Sequence, residues 1–88
     1  MSEHELIEAL AKKEHVGWAN WMNYLFSVCE KGSDGSMTIP AAWVERWQRQ
    51  IDTPYVQLSE QEKQSDRNQV AHILPIIANY IKTVVTAE

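Results

Sequence analysis

TPYVQLSEQEKQSDR, residues Thr53 to Arg67, closes one helix and opens another. Thr53 precedes Pro54, and a residue before proline is pushed out of helical backbone, so a helix arriving from upstream stops here. Ser59 with Glu62 three residues later has the spacing of a capping box, in which each side chain satisfies a free backbone N–H of the other residue. Glu60 and Glu62 in the first turn also suit the positive end of a helix dipole. Tyr55 to Leu58 are therefore a short extended or turn-like crossing, and a long helix starts at Ser59.

Downstream of that start, Val70, Ile73, Leu74, Ile77, Ile81 and Val84 form an apolar stripe at helical spacing. Pro75 removes one backbone hydrogen bond, which predicts a kink or split near Ala71 to Leu74 and a C-terminal piece from Ile76 to about Val85. Upstream, Pro40 fits a first helical position, and Trp43, Val44, Trp47 and Ile51 share one stripe, which predicts a helix over about Pro40 to Gln50. KGSDGS at 31–36 has the chemistry of a turn, and Ser36 to Ile39 suit a brief extended stretch. Ser2 and Glu5 repeat the capping-box spacing at the N-terminus. Leu6 and Leu10, then Trp18, Trp21, Met22, Leu25, Phe26, Val28 and Cys29, recur three and four apart, so a helix is expected from near Glu3 to about Cys29. Gly17 inside it predicts a kink or close packing. The expected fold is all-α: one domain over residues 1–88, a compact arrangement of three to four helices with a short extended segment before the last long one.

The chain's 88 residues suffice for one domain, and a domain of this size buries only about 60 to 65% of its unfolded surface. Modest stability follows unless the chain associates, so a homo-oligomer is an open expectation. Apolar residues make up 44% and charged ones 23%, the composition of a folded protein with a real core and not of a disordered one. A net charge of −4 opposes attraction to DNA or to an anionic membrane surface. The longest apolar run, Ile73 to Ala78, is interrupted by Pro75 and is far shorter than the ~20 residues of a membrane span. The acidic N-terminus MSEHELIEAL lacks the pattern of a signal peptide, so a cytoplasmic location is expected. Cys29, the single cysteine, supplies neither an internal disulfide nor a multi-cysteine metal site.

Candidate chemistry is sparse. His4, His15 and His72 fall in no HExxH or other metal-ligand spacing. His15 and Cys29 are fourteen apart on one expected helix, roughly 21 Å along its axis, too far for a nucleophile and its base. No GxSxG, Walker loop or Gly-rich phosphate cradle is present, and neither catalysis nor a cofactor is expected. Four tryptophans, Trp18, Trp21, Trp43 and Trp47, stand in pairs on two helices. They are large core residues on the plain reading; on the alternative, two indoles line one cleft and stack on a nucleobase, with at least one Trp partly exposed. In SEQEKQSDR the like-charged pairs Glu62/Asp66 and Lys63/Arg67 offset the opposite pairs Glu60/Lys63 and Lys63/Asp66, each by a few tenths of a kcal/mol. Helix stability alone leaves this pattern unexplained. A solvated face is one reading; a phosphate or carboxylate held by Lys63 and Arg67, with Asp66 accepting from a ribose hydroxyl or a guanidinium, is the other.

The run Pro54-Tyr55, Leu58-Ser59-Glu60, Glu62-Lys63 and Asp66-Arg67 resembles the PYxxLSExEKxxDR signature of the ryanodine-receptor repeat (RyR) domain. Upstream, LAKKEHVGWA, with His15 and Trp18 three apart, is similar to that family's LAxxxHxxWA opening. The middle departs: WMNYLFSVCEKGSDGSMTIPAAWVERWQRQ replaces a GWxYG segment and a lysine-rich HP stretch. In that respect the chain looks closer to the short stand-alone RyR-like proteins of bacteria and their tailed phages. The resemblance implies a helical, non-catalytic module that recognises adenine-type nucleotides or nucleotide-derived signals, in a phage setting by sequestering a host immune signal in the host cytoplasm. By position it makes Trp18 and Tyr55 aromatic walls beside His15 and Trp21, Lys63 and Arg67 anion contacts, and Asp66 a hydrogen-bonding group. Tyr55, Asp66 and Arg67 have an equally weighted structural role, with Asp66 tying down the loop. A protein-interaction adaptor or self-associating module without a pocket is the competing function.

Overall fold

Ser2 begins the first helix as expected. In a computed structural model, which describes residues 1–86, its hydroxyl accepts from the Glu5 N–H at 3.1 Å and the Glu5 carboxylate accepts from the Ser2 N–H at 3.2 Å. Helix α1 then runs unbroken through Glu3–Val28, with Cys29 as its C-cap. Gly17 does not interrupt it. A Cβ built there would lie 3.4 Å from the Gln69 side-chain oxygen, an ordinary van der Waals contact, so the last helix passes this point without requiring a glycine.

KGSDGS folds as the tip of a small hairpin, with β1 (Glu30–Lys31) antiparallel to β2 (Met37–Thr38). Gly35 takes φ +87°, a left-handed conformation that side chains disfavour, and the Ser36 N–H donates to the Asp34 carboxylate at 3.0 Å. Helix α2 spans Ala41–Ile51, Pro40 serving as its N-cap and accepting at its carbonyl from Trp43 and Val44. At the other end the Thr53 hydroxyl donates to the Arg49 carbonyl at 2.5 Å and the Gln48 amide donates to the Asp52 carboxylate. Pro54 then ends the helical path, and Tyr55–Gln57 make a 3₁₀ turn.

Helix α3 covers Glu60–Thr86, about 40 Å at 1.5 Å per residue. The Ser59/Glu62 capping box forms in full, each backbone N–H donating to the other residue's side chain at 3.2 Å. Pro75 does not split the helix, which stays continuous across it. Removing one N–H costs a single rung of the ladder, and Ile73, Ile76, Ile77 and Tyr80 are partly covered around the gap, enough contact to hold both halves in one rod.

The mainly helical, all-α class is thus what the structure adopts, with three helices and one two-stranded ribbon among the described residues. α1 and α3 are the principal packed pair. They run antiparallel: Gly17 meets Gln69, while Ile76 lies over the N-terminal half of α1. α2 joins at the opposite end, its Trp43 and Trp47 against Tyr24 and Trp21 of α1. The expected enclosed core does not form. No described residue is fully buried, and the Cα envelope measures 59 × 36 × 16 Å, long and flat. Periodicity reported which side chains share a face; it carried no information on whether a second layer covers them.

Candidate functional site

The sequence that folds α2 onto both long helices also builds a cleft. Trp21 and Trp47 meet edge to face with centroids 5.5 Å apart, and Tyr24 and Trp43 do the same at 6.0 Å. Trp43 and Trp47 tilt against each other at 5.4 Å, and the Arg46 guanidinium sits 5.2 Å from the Trp43 ring centroid. These four rings fix α2 against α1. On the other side Glu62 ties α2 to α3, accepting from Gln50 and, at 3.2 Å, from Arg49.

Between the three helices lies an open cleft of about 940 Å³. Its walls are Trp21, Tyr24 and Trp47, and its α3 side presents Glu62, Ser65, Asp66 and Gln69. Those α3 residues recur three and four apart, so one face of the helix faces the opening. Gln50 and Gln61 add amides that donate and accept. The Glu62 side chain is only 12% exposed, and its carboxyl is held down to about 2, first by the Gln50 amide and then by the Ser59 hydroxyl and N–H. Asp66 makes no side-chain hydrogen bond or ion pair among the described residues and stands at the cleft with both oxygens available.

The seven candidate residues separate into three places. Trp21 and Asp66 line the cleft. His15 and Trp18 stack on each other along α1 with centroids 5.8 Å apart, and Trp18 is 57% exposed. Lys63 and Arg67 lie on a different strip of α3, where Tyr55 of the preceding turn joins them. There the Lys63 ammonium lies 5.9 Å from the Tyr55 centroid, and Glu60 pairs with both Lys63 at 3.6 Å and Arg67 at 3.1 Å. Hydrogen bonding and charge from Glu60, together with the Tyr55 oxygen, push Arg67 above its ordinary value, and Arg67 in turn holds Glu60 below the usual carboxylate range. Both expected anion contacts therefore have a carboxylate partner already. One residue along a helix is about 100° of rotation, which is why Asp66 and Arg67, adjacent in sequence, face different ways.

Tyr24, Gln50 and Gln69 were not among the candidates, and Trp47 entered only as one of the four tryptophans from which two indoles line a cleft. Tyr24 is three residues from Trp21 and Gln69 three from Asp66, a helical spacing that was legible; that α2 brings Gln50 to the same opening was not. A second hollow, about 580 Å³, lies along Glu5, Glu8, Lys12 and Lys13 near Ile76 and has no aromatic wall. Among the described residues no cluster of three or more His, Cys, Asp or Glu is placed to hold a metal, and no helix is long and apolar enough to cross a membrane.

Neither a family model, nor a curated protein, nor a solved structure corresponds to this chain.

Proposed function

We propose that the protein is a non-catalytic binding module of the RyR-like kind, and that the cleft between the three helices takes the flat ring of an adenine-type nucleotide or a nucleotide-derived signal. The observation that carries this is the pairing of Trp21 and Trp47, indoles from two helices on one opening, with an unpartnered Asp66 across from them. An indole face stacks on any nucleobase, and a stacked base contributes about 1–3 kcal/mol. Asp66 accepts from a ribose hydroxyl or an exocyclic amino group, and the Gln50, Gln61 and Gln69 amides read ring nitrogens. Arg46 is the cation nearest a phosphate in this pose, and Lys63 and Arg67 contribute only if an incoming phosphate displaces Glu60 from them. In a phage such a module sequesters a host's signalling nucleotide in the cytoplasm without altering it.

Trp fluorescence tests this directly. An adenine nucleotide, an ADP-ribose derivative and a cyclic oligonucleotide are titrated in turn. At least one is expected to change the emission and raise the melting temperature, and Trp47→Phe or Asp66→Asn should weaken that response at least tenfold while the fold persists. If the whole panel leaves emission and melting temperature unmoved, the reading fails.

A second reading, a protein-interaction adaptor or self-associating module, is favoured by a different observation, that no residue among those described is fully buried. It needs no ligand, so light scattering separates it from the first.

A further inference from the structure

Helix α3 carries two apolar stripes. The first, Ile73, Ile76, Tyr80 and Thr83, is partly covered, and Ile76 from it lies against α1. The second follows one residue behind, at Val70, Leu74, Ile77, Ile81 and Val84, and is turned about 100° round the helix. Its spacing, four, three, four, three, is the a/d repeat of a two-helix seam. Val70 is 53%, Leu74 55%, Ile81 55% and Val84 50% exposed, and Ile77 in the middle of the row is partly covered.

The dimensions of the chain show how much cover is missing. Its accessible surface is 7095 Å², whereas a compact monomer of 10.2 kDa exposes about 5,300 Å². The excess of about 1,800 Å² is roughly twice the ~800 Å² each partner contributes to a standard interface, and suits an obligate one. The radius of gyration is 17.9 Å against about 12 Å for a compact chain of 88 residues. Stable domains close two layers over one core, and among the described residues of this chain none is fully enclosed.

We infer that a second copy of this chain covers the stripe, α3 packing on its symmetry mate across a two-fold axis near Ile77. A two-fold interface must be self-complementary, and a row of Val, Leu and Ile with no charge among its five positions meets that condition against itself. Ile77 is the middle member of the five, so it lies near the axis whether the two helices run parallel or antiparallel. The pairing uses none of the α3 residues at the cleft, Glu62, Ser65, Asp66 and Gln69.

The test is size-exclusion chromatography with light scattering on the full chain at micromolar concentration, followed by two variants. The wild type is expected at twice 10.2 kDa and Leu74→Glu/Ile81→Glu at the mass of one chain. Because two buried charges can also abolish folding, a second variant reads the interface in the folded protein. With Cys29→Ser as background, Ile77→Cys should cross-link to its own copy under mild oxidation, while Asn79→Cys, on the exposed opposite side of α3, should not. A wild type of one-chain mass at every concentration overturns the inference, as does a mass of three or more chains, a glutamate variant that stays paired, or equal cross-linking at 77 and 79.

Discussion

Glu62 connects more of this molecule than any other single side chain. It completes the capping box that starts α3, accepts from Gln50 and Arg49 of α2, and borders the cleft. Its carboxyl is held at about 2 in the fold against 4.5 without those partners, so the folded state keeps it ionised where the unfolded chain would protonate it. The stability it supplies is complete above about pH 4.5 and is lost as pH falls from there through about 2. Thermal unfolding followed through that window should show the wild-type melting temperature dropping, and Glu62→Gln should flatten the drop while lowering stability at neutral pH. The capping role was legible from Ser59 and Glu62 alone. The reach to α2 was not, because no local spacing announces that Gln50, twelve residues earlier, returns to the same carboxylate. The same limit explains the scattered candidates: Lys63, Asp66 and Arg67 read as one charged group by sign, and as two different faces once rotated on a helix.

At the scale of elements, the boundaries followed from caps and prolines almost residue by residue. Ser2, Pro40, Pro54 and Ser59 each mark a transition that the backbone makes. Pro75 is the exception. It sits inside a helix that continues for eleven further described residues, leaving the Ala71 carbonyl without its usual N–H donor. Pro75→Ala restores that donor and is expected to stabilise α3, by on the order of 1–3 kcal/mol, read as a higher melting temperature with unchanged helical content by circular dichroism. The hairpin from Glu30 to Thr38 was half visible: Gly35 and Asp34 announced the turn, and the two-residue strands were too short for alternation to register.

The molecule as a whole is a slab: two long antiparallel helices, a short helix fastened across one end by four aromatic rings, and no interior. Composition indicated a chain with ample apolar residues for a core, and that was correct as an inventory. Where those residues would find cover lies beyond pattern, because the 3.6-residue period is the same for a stripe facing another part of the chain and for one facing a second molecule. The two apolar stripes of α3 illustrate this, since they differ by one residue in sequence, yet the first is partly covered throughout and four of the five members of the second are half or more exposed.

The lack of any fully buried residue among those described also determines how the backbone exchanges its hydrogens with water. Deep protection of an amide requires that its helix open only together with the rest of the protein, and a helix with solvent on one broad side can open turn by turn. Deuterium uptake in a dilute sample should therefore be graded along α1 and α3, slower in the turns where the two helices touch, as at Gly17 and Gln69, and fastest towards the far ends. In a concentrated sample uptake should slow selectively through residues 70–84, so that the exchange map itself becomes a record of how many neighbours each chain has.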